Sequence, residues 1–269
     1  VSAAVGRLGK VILGSYFGLM ILFLYVPLVV LVIFAFNNAY IPALPLSGFT
    51  TRWFHAAFSN TDLTGALERS AWLAVLNGLA ASLLGVAAAL AMTGRRLFLR
   101  SVWTTLLLLP LVVPYIVLAI GMVIVIHELG YQASLAAVLA GHIVISLPYS
   151  ILVIVPRLRT LDDAIVEAAR DLGADTVRAF LLVTLPLIVP ALISSALICF
   201  TISFDEFAIA SFLAPPNSPT YPVFLYSGTR TPALEPQVIA LGAIVVTFSI
   251  VLVVGADVSR RVLERRLAA

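Results

Sequence analysis

Residues 161–190 read LDDAIVEAARDLGADTVRAFLLVTLPLIVP, and they stand out between two segments that are each apolar enough to cross a bilayer. Five of the chain's thirteen acids fall here: Asp162, Asp163, Glu167, Asp171 and Asp175. At helical spacing Ile165, Ala169 and Leu172 share one face, while Asp163, Glu167, Arg170 and Asp171 lie around the other. That pattern predicts a short amphipathic helix. Gly173 follows where a left-handed C-terminal residue is wanted, and Asp175 is placed to cap a second helix leading back into the membrane. A helix–Gly–helix elbow of this kind, set on a membrane face, is built to be held by something else.

Composition explains why the elbow is unusual. Of 269 residues, 62% are hydrophobic and 11% charged, with a mean hydropathy of +1.12. Soluble domains carry about 25% charged residues, so the chain reads as an all-α membrane protein. The net charge of +3 is spread over loops and gives no nucleic-acid signal. A lone cysteine, Cys199, excludes a disulfide framework and a Cys-based metal site.

Six membrane-crossing helices are expected. The first, Val11 to Phe36, is too long for the apolar core of a signal peptide and reads as an uncleaved span. A polar, aromatic loop runs from 37 to 66. The second span, about Ala71 to Met92, holds Gly78, Ser82 and Gly85, small residues that allow close helix approach. The third, about Val102 to Ile126, contains Pro110 and Pro114, which should bend it. The fourth covers about Leu135 to Val155, the fifth about Val189 to Leu213 and the sixth about Val238 to Ala256. This divides the chain into residues 1–66 (first span and loop), a core at 67–258 with the elbow at 162–190, and a basic tail at 259–269. Thirteen of the sixteen Lys and Arg residues fall at the N-terminus, the 93–101 loop, the elbow and the tail. The excess of positive charge on the inner side of membranes then places both termini and the elbow in the cytoplasm.

With that address, Glu167-Ala168-Ala169, three residues, Gly173, nine residues and Val183-Thr184-Leu185-Pro186 resemble the EAA loop of bacterial ABC importer permeases, differing from its pattern only by Val183 for Ile. The resemblance implies the type I ABC importer permease fold, in the bacterial inner membrane. It also implies that Glu167, Ala168, Ala169, Arg170, Asp171 and Gly173 dock on a cytoplasmic ATPase subunit. The chain carries no phosphate-binding loop: its one lysine, Lys10, lacks the flanking residues such a loop needs. ATP and Mg would therefore be held by an ATPase dimer, and this chain would be a pore subunit without catalytic or metal-ligating residues. A second homologous permease, a periplasmic substrate-binding protein and the lipid bilayer complete the expected partners.

The adjacent acids Asp205 and Glu206 in the fifth span are the second informative feature. A carboxylate near a span's centre costs about 2.5–3.5 kcal/mol on insertion scales, so it normally faces a cavity or a partner. Neighbours on a helix are about 100° apart, so both acids can border one cavity without pointing the same way. Thr201, one turn earlier, shares the face of Asp205. The residues leave two readings open: a cation-attracting lining of a transport path, or acids satisfied by helix-end or subunit contacts. The Ser203-Phe204-Asp205-Glu206-Phe207 run, Phe212-Leu213, Tyr221-Pro222, and His142 with Pro148-Tyr149 resemble spermidine/putrescine-type permeases, closest to their second permease subunit. That likeness implies a polyamine or related organic cation, with opines and amino-acid-like solutes as alternatives. It departs at Tyr115, where those transporters carry an acid after the second proline of the third span. Tyr115 is able to stack on an organic cation or to serve as aromatic packing. An ion-coupled secondary carrier with Asp205 or Glu206 as its proton or cation site is the alternative of another class.

Overall fold

A computed structural model of the chain describes residues 7–94, 98–230, 235–247 and 250. The basic residues Arg95, Arg96, Arg260, Arg261, Arg265 and Arg266, and residues 248–249 and 251–256 of the expected sixth span, lie outside the described residues. Among the described residues the fold is all-helical, with one isolated bridge between Asn37 and Phe49. Two compact units form, Gly65–Phe224 and the pair Val1–Thr64 with Leu225–Ala269.

In the second of these units α1 (Arg7–Ala35) is apolar after Lys10, and its membrane-crossing window is 0% buried among the described residues. It ends in a small aromatic lobe. Trp53 donates its indole N–H to Asn37 O at 2.8 Å, Phe36 stacks on Phe49 at 4.9 Å, and the Arg52 guanidinium lies 4.1 Å over the Trp53 ring. The short α2 (Arg52–Ser59) leads to Asn60, whose side-chain oxygen accepts from Leu63 N and caps α3 (Thr61–Thr93). Asn60 Nδ2 also donates to Gln237 at 3.0 Å on an apolar helix, Glu235–Thr247.

The larger unit is built on three long helices: α3, α6 (Leu135–Arg159), and α9 (Leu185–Phe204), which is reached through α8 (Thr176–Ala179) and a π turn at Phe180–Thr184. In a bilayer no water drives apolar surfaces together, so small residues and interhelical hydrogen bonds do the packing. Asn77 on α3 donates to Ser146 Oγ on α6 at 2.9 Å and to Cys199 O on α9 at 2.8 Å. Ser195 on α9 donates to Ser150 on α6 at 2.7 Å. Such bonds contribute about 0.6 kcal/mol each on average, and all three helices share them. Close approach supplies the rest. A Cβ on Gly78 would lie 2.8 Å from Ala196 O, and one on Gly85 would lie 2.7 Å from Ser150 Cβ. Ser82, between them, turns its hydroxyl back to Gly78 O. Asn77 and Cys199 thus act as interhelical contacts.

The third and fifth spans differ from the sequence expectation. Instead of one bent helix over Val102–Ile126, the chain forms α4 (Arg100–Leu108), a 3-10 turn (Leu109–Leu111) and α5 (Tyr115–Glu128), with 106° between the two halves. Pro114 removes a backbone donor and forces Val113 out of helical geometry. With Pro110 four residues earlier, a kink becomes a break. The fifth span starts at Thr176 rather than Val189 and stops at Phe204. A short α10 (Ala208–Leu213) follows, and then α11 (Tyr221–Gly228). Among the described residues, four helices are therefore long and apolar enough to cross a membrane, and the broken pair α4–α5 makes a fifth by length and composition.

Candidate functional site

Two places in the larger unit carry the residues singled out above. The elbow takes the form its sequence predicts. α7 (Asp163–Asp171) is capped by the Asp162 side chain, which accepts from Ala164 N at 3.0 Å. At its other end Ala174 N donates to Ala169 O at 3.0 Å and Gly173 N to Arg170 O at 2.9 Å. These two crossed bonds are a Schellman ending, which needs a left-handed residue. Gly173 supplies it with φ +88. Asp175 then caps α8 by accepting from Arg178 N at 2.8 Å. Arg157, at the end of α6, donates twice to Leu187 O, at 3.1 and 2.9 Å, and fastens the start of α9.

The elbow's apolar face is only partly covered among the described residues. Leu172 is 91% exposed, Ile165 46% and Val177 64%. Glu167, Ala168, Arg170 and Asp171 are exposed along the same helix, and Ala169 is half-buried. A stretch whose polar and apolar faces are both open is a docking element or an interfacial one.

The second place is the gap between α9 and α10, where Asp205 and Glu206 sit. They do not share a helix. Asp205 is the C-cap residue that follows α9, with φ −91 and ψ 0, and Glu206 precedes α10. Asp205 is exposed, as is Thr201 one turn before it, whose hydroxyl donates to Leu197 O at 3.0 Å. Glu206 is turned the other way and is buried. Its Oε1 accepts from Ile209 N and its Oε2 from Ala210 N, both at 2.9 Å. The carboxylate thus caps α10. His142 on α6 brings Nε2 to 3.3 Å from Glu206 Oε2 in an oblique approach, and its Nδ1 lies 2.7 Å from Ser203 Oγ. Of the two readings left open for this pair, the geometry at Glu206 fits helix-end contacts, since both its oxygens accept from backbone donors, while Asp205 stays open.

The two broken spans meet. Tyr115, the first residue of α5, packs on the cluster that holds Ile209 and Ala210 of α10, and lies within electrostatic reach of Glu206. Its hydroxyl is 3.3 Å from that of Tyr149 on α6. Phe204 is stacked on Phe200 at 5.8 Å and tilted against Tyr221 at 6.1 Å. Tyr115, Phe204 and the Asp205–Glu206 pair therefore all border helix breaks, and of the path candidates only Asp205 and Thr201 are open. Sequence reasoning missed the roles of Ser203 and Tyr149. Neither carries a local signal, since each acts across spans far apart in the chain. Non-helical backbone at membrane depth persists only where protein buries it or where it lines a cavity, and discontinuous helices are where transporters place their substrate contacts.

Comparison with known proteins gives the chain a family. Residues 81–269 match the family described as binding-protein-dependent transport system inner membrane component. The chain belongs to that family. It is therefore a membrane-embedded permease, and ATP hydrolysis belongs to a separate subunit; the family sets aside the ion-coupled carrier. Among curated relatives, the permease protein PotC of the spermidine/putrescine transport system of Escherichia coli is 29% identical over 254 residues, covering 94% of this chain and 96% of the relative. The permease protein PotI of the putrescine transport system of Escherichia coli is 32% identical over 230 residues, covering 83% and 81%. PotC of Haemophilus influenzae is 31% identical over 232 residues, covering 86% and 90%. A chain of a bacterial ABC transporter involved in import of the acidic polysaccharide alginate superposes with a TM-score of 0.71 at 16% identity. The superposition covers 96% of this chain and 98% of that one. At that identity the match speaks for the type I ABC permease fold alone.

Proposed function

We propose that this permease forms half of the path by which an ATP-driven importer takes up a polyamine or a closely related organic cation. The carrying observation is the exposed carboxylate of Asp205 at the break in a membrane span. An acid left open at that depth is costly unless a cation or water meets it. Curated relatives along nearly the whole chain are polyamine permeases, which supports the same class. Tyr115 and Phe204, bordering the two breaks, offer aromatic faces to an alkylammonium chain.

In this reading the chain crosses the inner membrane six times, with both termini and the elbow in the cytoplasm. A second, homologous permease completes the path, a binding protein delivers substrate from the periplasm, and an ATPase dimer holds ATP and Mg. α7 docks on one ATPase subunit. Closure of the ATPases moves α7 and switches the path from inward- to outward-facing, a rigid-body transition. The test is uptake of radiolabelled spermidine and putrescine into proteoliposomes holding the complete complex with ATP inside. Transport of either cation is expected, and Asp205→Asn should raise KM about tenfold, the loss of roughly 1.4 kcal/mol of cation attraction. An unchanged KM would remove Asp205 from the path.

A further inference from the structure

The acid beside Asp205 has a different task. We propose that Glu206, with His142 and Ser203, is a positioning device: it staples the break between α9 and α10 to α6 so that Asp205 is presented outward. The proposal rests on the reading of Asp205 as a path residue and deepens it.

The geometry is a closed loop of contacts around one exposed residue. Ser203 stands two residues before Asp205 and Glu206 one residue after it, and a single ring on α6 reaches both, Nδ1 to Ser203 Oγ at 2.7 Å and Nε2 to Glu206 Oε2 at 3.3 Å. All three side chains are buried, Ser203 at 2%, His142 at 1% and Glu206 at 5% exposure. One ring nitrogen pairs with the serine hydroxyl while the other lies against the carboxylate. On its far side Glu206 accepts from Ile209 N and Ala210 N, so the break is fixed from before and after.

The site is prepared on α6 as well. Gly141, the residue before His142, faces Ile209: a Cβ there would fall 2.5 Å from Ile209 Cγ2. α10 can sit against α6 only because that position is glycine. No proline or glycine lies between Phe204 and Ala208 to break the helix by backbone chemistry. The interruption is therefore made by side chains, chiefly by a carboxylate that competes for α10's backbone donors. Remove it, and the helix has no reason to stop at Phe204. Asp205 and Glu206 would then take successive helical positions, and Asp205 would rotate away from the direction it now holds.

Thiol accessibility tests this in the complete complex. Cys199, the chain's one cysteine, is buried and stays silent, so D205C and T201C each place a single reactive thiol on the open face. With a cationic methanethiosulfonate reagent, Glu206→Ala should slow labelling of D205C by roughly fivefold or more and leave T201C within about twofold, since thiol reactivity follows exposure. His142→Asn, which keeps the glutamate cap, should give a smaller change in the same direction and serves if Glu206→Ala does not assemble. Unchanged labelling of D205C, or an equal fall at both positions, overturns the proposal. Uptake supplies the second readout: Glu206→Gln should raise KM for spermidine about tenfold with Vmax within about twofold, as loss of binding geometry does. That effect should vanish in the Asp205→Asn background, and additive effects overturn the coupling. If Asp205→Asn alone leaves KM unchanged, the path role of Asp205 falls, and the labelling result by itself decides whether Glu206 positions the break.

Discussion

The elbow at Asp162–Asp175 and the break at Asp205–Phe207 both interrupt helices, yet they are made by opposite means. The elbow is written in local chemistry: an aspartate cap, a glycine with φ +88, two crossed backbone bonds and a second aspartate cap. Every partner lies within six residues of its mate, and most of the side chains described there are open. The break is written in tertiary contacts. Glu206 ends one element and starts another by taking two backbone donors, and His142, sixty-odd residues away in sequence, braces it from another span. A device made locally leaves its surface free for a partner, whereas one made at long range is bound to the body of its own subunit.

Substituting the exposed surface of the elbow tests that contrast most severely. Glu167→Lys reverses a charge on an exposed face of α7 without touching any packed residue. In the reconstituted complex, ATP hydrolysis stimulated by the binding protein and spermidine uptake should both fall by more than about a hundredfold, the loss of a docking contact near 3 kcal/mol. The thermal midpoint of the purified complex should stay where it is. A normal stimulated rate would mean that α7 is not where the ATPase engages.

The same contrast separates the features that the amino-acid sequence makes legible from those it hides. The elbow is legible because caps and glycines act on residues a few positions away, and the EAA pattern lies in one continuous stretch. The close approach of α3 is legible from Gly78, Ser82 and Gly85 for a similar reason, since small residues at helical spacing mark a contact face. The end of the fifth span is hidden because TISFDEFAIASFL shows no helix breaker. Its interruption depends on His142 and on the space at Gly141, which belong to a different helix. The third span falls between these cases. Pro110 and Pro114 announce a bend, but a turn of 106° is the joint product of two prolines and of α10 packing on α5. The sixth span is described as far as Thr247, where Glu235–Thr247 is helical and apolar.

Gly78 sharpens the comparison from the packed side. A Cβ there would lie 2.8 Å from Ala196 O, a backbone atom with no rotamer to escape by. Gly78→Ala should force α3 and α9 apart and strain the Asn77 bonds to Ser146 and Cys199. Overpacking of this kind costs about 1–3 kcal/mol. At roughly 2–4 °C per kcal/mol for a domain of this size, the midpoint of the complex should drop by several degrees. Differential scanning fluorimetry in detergent reads this directly, and an unchanged midpoint would mean that the two helices do not touch at Gly78.

The same substitution at Gly173 should behave differently, and the difference is the finest test of the comparison. A Cβ at Gly173 meets nothing within 4 Å, so there is no packing to disturb. The cost is conformational: φ +88 lies in the left-handed region, which an L side chain enters at about 1–2 kcal/mol. That cost falls on the Schellman ending and on the angle between α7 and α8, not on the helices that fix the melting point. Gly173→Ala should therefore leave the thermal midpoint within about 1 °C while reducing stimulated ATP hydrolysis roughly five- to tenfold, since about 1.4 kcal/mol is a factor of ten. Gly173→Asn adds a larger side chain but tolerates left-handed backbone better, so it should recover part of the lost activity. That ordering, glycine above asparagine above alanine, follows only if backbone geometry governs the site. If alanine and asparagine were to rank by size instead, a steric contact with the ATPase would be the controlling feature, and the elbow's turn would matter less than its surface.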